Sequence, residues 1–85
     1  MEPETAFGIV LRKLRKARGL SQETLAFEAD VERNYISLLE LGRNSVSIKV
    51  VFRLACALNV SVVDFMGMVE AKVQEARNPT ILGRN

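Results

Sequence analysis

Apolar residues recur at three- and four-residue intervals along most of this chain, with no run of strict alternation and no Asn-Gly or Asp-Gly hairpin turn. Phe7, Val10, Leu11, Leu14 and Ala17 mark one face of a first helix, expected from about residue 6 to 18 and ended by Gly19. Ser21 then stands as an N-cap, its hydroxyl in reach of the backbone N–H of Glu23 or Thr24, and starts a short helix with Leu25 and Ala26 turned inward. Asp30 ends that helix in a turn that calls for left-handed backbone, which Asp tolerates better than most residues. A third helix is expected from Arg33 to about Leu41, with Ile36 and Leu39 toward the core and Gly42 closing it. Ser47 caps a fourth, whose core face reads Ile48, Val51, Leu54, Ala55 and Leu58 and which Asn59 stops. Ser61 caps a fifth beginning at Val62; Asn78-Pro79 breaks it, and Thr80 to Asn85 reads as a loose tail.

The fifth helix has a pattern of its own. Val62, Met66, Val69, Val73 and Ala76 step by four, three, four and three residues, the 3.5-residue repeat of a helix packed against another helix. Val63 and Met68 add apolar surface, and Gly67 marks a bend or a close approach. The covering helix belongs either to a second copy or to the chain's own domain. A domain this small has little core left to cover, so Met66, Val69 and Val73 are assigned to a dimer interface. The organisation that follows is a domain over 1–65, a dimerising helical extension over 66–78 and a flexible tail over 79–85.

Composition narrows the chemistry more than it names it. Eighty-five residues, 48% hydrophobic and 26% charged, suit one globular domain with a modest core. Cys56 is the single cysteine and there is no histidine, which rules out an internal disulfide and leaves no metal site or His-dependent catalysis to expect. Grouped carboxylates and a Gly-rich phosphate loop are also missing, so no enzyme, cofactor or small-molecule ligand is expected. The acidic start Met-Glu-Pro-Glu-Thr is no signal peptide, and no apolar run approaches the roughly 20 residues of a membrane span. A cytoplasmic protein is the expectation.

Net charge is only +2, but it is unevenly placed. Residues 1–20 carry Arg12, Lys13, Arg15, Lys16 and Arg18 against Glu2 and Glu4, whereas residues 21–47 carry Arg33 and Arg43 against Glu23, Glu28, Asp30, Glu32 and Glu40. The acidic middle is no polyanion-binding stripe, and Glu23, Glu28 and Glu32 suit helix starts and a solvated outer face. Arg33, Asn34 and Tyr35 at the start of the third helix are suited to base edges. Arg grips guanine O6 and N7 with two bonds, and Asn does the same to adenine N6 and N7.

Two short helices with a tight turn, the second opening on such residues, have the layout of a helix-turn-helix. Residues 7–65, about seven-tenths of the chain, resemble the lambda-repressor-like Cro/cI (XRE) family. The likeness rests on Phe7-Gly8, Leu11-Arg12 and Leu14-Arg15 in the first helix, and on Leu20-Ser21-Gln22-Glu23 with Leu25-Ala26 in the second. It continues through Tyr35-Ile36-Ser37, Glu40 and Gly42-Arg43 to Leu54-Ala55 and Leu58-Asn59-Val60-Ser61. Departures are Asp30 for the turn Gly, Leu41 for a polar or basic residue, and Val46 for a Pro.

The resemblance implies an all-α, five-helix DNA-binding domain with an extended C-terminal helix, acting as a transcriptional regulator. Restriction–modification controllers, phage repressors and antitoxins are among the family's small members. It places the recognition helix, residues 33–41, in the major groove of a palindromic double-stranded operator bound by a homodimer. By the same likeness Gln22 bridges a phosphate and the recognition helix's first side chain, and Arg33 and Asn34 read bases. Tyr35 either meets a thymine methyl or phosphate or covers the helix's packing edge. Ser37 reaches a phosphate or lies on the surface, and Arg43, with Asn44 more weakly, meets phosphate, which positions the protein without reading sequence. Arg15 and Glu40 form a structural ion pair joining the first helix to the end of the third. The rival reading keeps the fold but makes the chain a protein-interaction module, such as an antitoxin, whose main partner is another protein.

Overall fold

The computed structural model describes residues 1–77; Asn78-Pro79 and the expected tail lie outside the described residues, as do the side chains of Ala76 and Arg77. Five helices follow one another: α1 (Pro3–Ala17), α2 (Gln22–Ala29), α3 (Arg33–Glu40), α4 (Ile48–Leu58) and α5 (Val62–Arg77), with no strand among the described residues. This is the all-α fold that the spacing and the resemblance led us to expect.

Local chemistry accounts for the helix ends. Ser21, Ser47 and Ser61 each accept the backbone N–H three residues on, at 3.0, 3.2 and 2.9 Å. Gly19, Asp30, Gly42 and Asn59 take positive φ values of 70°, 59°, 72° and 59°. The next residue in each case donates its N–H five residues back: Leu20 to Arg15, Val31 to Ala26, Arg43 to Leu38 and Val60 to Ala55. Two boundaries differ from expectation. Pro3 fixes the first-turn backbone and starts α1 three residues early, and α3 stops at Glu40 with Leu41 as its exposed cap.

The core joins all five elements: Phe7, Val10 and Leu11 of α1, Leu25 and Ala29 of α2, Ile36 and Leu39 of α3, Leu54 and Leu58 of α4, and Phe65 of α5. The Phe7 and Phe65 rings stack at 5.0 Å and lay α5 along α1. That packing corrects the reading of the α5 seam. Val69 is 4% exposed in the chain's own core, and Val62 and Val73 are half-buried against it, because α1 offers the apolar face they need. Met66, the other assigned dimer residue, stays exposed, and Gly67 leaves α5 unbroken. Two further residues assigned to core faces, Ala17 and Ile48, are exposed: Ile48 lies in the first turn of α4, beyond the cover given to Val51 and Leu54, and Val50 is buried instead.

Candidate nucleic-acid interface

The C-terminal end of α3 is clamped by a buried polar network. Arg15 Nε donates to Glu40 Oε2 at 2.6 Å and a terminal nitrogen to Oε1 at 3.0 Å, and the other nitrogen donates to the Leu20 carbonyl at 2.9 Å. Gln22 Nε2 donates to the same Glu40 Oε1 at 3.0 Å. The ion-paired side chains are 10% and 2% exposed, so a bidentate pair in a poorly solvated place joins α1, α2 and α3. Hydrogen bonding to the Glu40 carboxylate raises the Arg15 pKa above its ordinary value, against a smaller opposing effect of burial, and charge attraction adds to the rise. A raised arginine pKa keeps its stabilising effect at every pH below its ordinary alkaline one, so Arg15 adds no pH dependence near neutrality.

Backbone contact tightens the clamp. A Cβ on Gly8 would run into the Leu39 carbonyl oxygen and stand 2.7 Å from that of Glu40, so only glycine lets α1 lie this close to α3. A glycine inside an otherwise well-patterned helix was the available signal for this approach, and sequence reasoning left it unused. Past the helix, Tyr35 Oη donates to the Ser45 carbonyl at 3.3 Å and Ser45 Oγ to Glu4 at 3.2 Å. Glu4 and Ser45 lie 41 residues apart, and nothing in the sequence pairs them.

The N-terminal end of α3 is open. Arg33 and Asn34 are both exposed, and the N-cap Glu32 makes no side-chain capping bond. Tyr35 and Ser37 follow half-buried, the Tyr35 ring packed against the core edge, and Arg43 and Asn44 stand exposed in the loop after α3. Among the described residues the ion pairs are Arg15–Glu40 and Lys72–Glu75, so neither Arg33 nor Arg43 is paired with a described acid. Exposed Arg and Asn side chains on successive residues of a helix start match base-edge chemistry. Gln22 is half-buried near the far end of α3, held by Glu40 rather than by the first side chain of the helix; one of its two amide N–H groups is left for another acceptor.

The acids of the middle segment, Glu23, Glu28, Asp30 and Glu32, are exposed on α2 and the turn, around a Phe27 that is 85% exposed. No single helix among the described residues is long and apolar enough to cross a membrane.

Comparison with known proteins gives concordant results. A family model described as helix-turn-helix matches residues 11–65. Control protein C.BamHI of Bacillus amyloliquefaciens is 39% identical over 61 residues, 71% of this chain and 75% of that protein. The clp gene regulator ClgR from Corynebacterium glutamicum superposes with a TM-score of 0.87 at 28% identity, over 99% of this chain and 89% of that one. The restriction–modification controller protein C.Esp1396I, solved as a tetramer in complex with its natural 35 base-pair operator, gives 0.78 at 29% identity over 86% and 96%.

Proposed function

The chain belongs to the helix-turn-helix family, in its XRE type of DNA-binding transcriptional regulators, and from that premise we propose that it reads a palindromic operator as a homodimer and controls a restriction–modification system. The observation that carries this reading is the pair Arg33 and Asn34, exposed and, among the described residues, without an acidic partner, at the open end of a helix whose other end is clamped. With α3 in the major groove, Arg33 takes a guanine and Asn34 an adenine, and two copies set their recognition helices about 34 Å apart, one DNA turn. Arg43, Asn44 and Ser37 meet phosphates, as does the remaining amide N–H of Gln22. The Tyr35 ring, fixed by its bond to Ser45, flanks the base-reading pair. Its place of action is the cytoplasm.

Selection of bound duplexes from a random DNA pool tests this, comparing wild type with Arg33→Ala/Asn34→Ala. A palindrome enriched by wild type alone supports the reading and supplies the operator. No enrichment from a folded protein sinks it and makes a protein partner the better account.

A further inference from the structure

Arg43 and Asn44, given phosphate contacts above, are exposed on a backbone that is held on both sides. Before them, Gly42 turns at a φ of 72°. A Cβ there would stand 3.0 Å from Thr5 Cα and 3.3 Å from its Oγ1, so the turn rests directly on the start of α1. After them, Ser45 is gripped twice. Its carbonyl accepts from Tyr35 Oη at 3.3 Å, and its hydroxyl donates to Glu4 Oε2 at 3.2 Å. Val46 follows, half-buried against the core. Glu4 has no ion pair among the described residues, which leaves its carboxylate to Ser45. The Tyr35 bond ties the loop to the recognition helix, and the Glu4 bond ties it to α1.

We propose that Glu4 is a positioning residue for DNA binding: through Ser45 it holds the 42–46 loop so that Arg43 and Asn44 meet the phosphate backbone while Arg33 and Asn34 read bases. The proposal rests on the phosphate contacts assigned to this loop above and adds to them a residue of α1. A loop left free has to be ordered when DNA binds, and the lost entropy weakens every contact it makes. The two bonds to Ser45 order it beforehand.

Charge gives the proposal a sign that can fail. Glu4 is a negative group beside a loop turned toward phosphates, so by Coulomb repulsion alone its removal should tighten binding. A positioning Glu4 has the opposite consequence, because its removal takes away the acceptor for the Ser45 hydroxyl. Glutamine separates the two effects: it carries no charge and keeps a side-chain oxygen that accepts from Ser45.

Affinity of the full chain for the enriched duplex and for a scrambled one, over a salt series, tests this. Glu4→Ala should bind both duplexes about threefold to tenfold more weakly than Glu4→Gln, the net effect of about one hydrogen bond, and with a smaller salt slope. Glu4→Gln should bind at least as well as wild type, and the two variants should share one thermal midpoint. Ser45→Ala, which keeps the carbonyl for Tyr35, should weaken both duplexes as well. In an Arg43→Ala/Asn44→Ala background the difference between Glu4→Ala and Glu4→Gln should vanish, which a general effect on stability would not produce. Equal binding by Glu4→Ala and Glu4→Gln overturns the proposal, and so does a difference that persists without Arg43 and Asn44. If Arg43→Ala/Asn44→Ala itself binds every duplex like wild type, the loop's phosphate contacts fail and the role of Glu4 falls with them, while base reading by Arg33 and Asn34 stands.

Discussion

At its C-terminal end α3 is tied to α1 and α2 together, through Arg15, Gln22 and the close approach of Gly8; at its N-terminal end it presents Arg33 and Asn34 to solvent. The anchored end fixes the angle of the helix with bonds that are buried and bidentate. The open end keeps its donors free of acidic partners among the described residues. A helix that has to hold a constant pose while offering unsatisfied side chains to another molecule needs both, and eight residues suffice to separate the two tasks. Substitutions at one end should therefore move stability, and at the other affinity.

The largest effect is expected from Glu40→Ala. It removes the acceptor of three hydrogen bonds and leaves Arg15 buried without its counter-charge, a loss of about 3–5 kcal/mol in urea unfolding. Next comes Gly8→Ala. An added methyl in a helix ordinarily stabilises by about 1 kcal/mol, but here it meets two backbone carbonyls, and a net loss of about 1–3 kcal/mol in the same assay is expected. A neutral or stabilising Gly8→Ala would show that the two helices separate easily and that the clamp is looser than the geometry suggests.

At the open end, Arg33→Ala should leave unfolding within about 0.5 kcal/mol of wild type and cost about 1–3 kcal/mol of specific affinity, relaxing one operator position. If it unfolds the protein instead, the division between the two ends fails. Arg43→Ala is expected to be the mildest. It should weaken all duplexes alike and lower the slope of affinity against salt by about one, measured as a salt titration on matched and scrambled operators.

A second contrast, between α5 and α4, shows where the pattern misled. Both helices carry an apolar column beyond what a minimal core uses. The 3.5-residue repeat of α5 is the more regular, and it was assigned to a partner; yet Val69 sits in the core and Val73 against it. The α4 column began with Ile48, assigned inward on spacing alone and found 77% exposed. Periodicity reports that a face is apolar, and it says nothing about which body covers that face. Gln22 is a similar case. Its position at the start of α2 was legible, whereas its bond to Glu40 depends on where the end of α3 lands, eighteen residues further on.

What the sequence determined by itself was local. Helix number, order and most boundaries follow from apolar spacing and from Ser21, Asp30, Gly42, Ser47, Asn59 and Ser61, because capping bonds and left-handed backbone involve residues within five positions of one another. The chemistry of the candidate reading residues Arg33 and Asn34, and their place at a helix start, belong with these, whereas their exposure is a result of the tertiary structure. Only the tertiary structure decided which of two apolar columns lies inside, why Gly8 has no side chain, and how Glu4 reaches Ser45. Those outcomes depend on how the helices lie against one another. That arrangement is set by the packing of the whole core, and no short window of sequence encodes it.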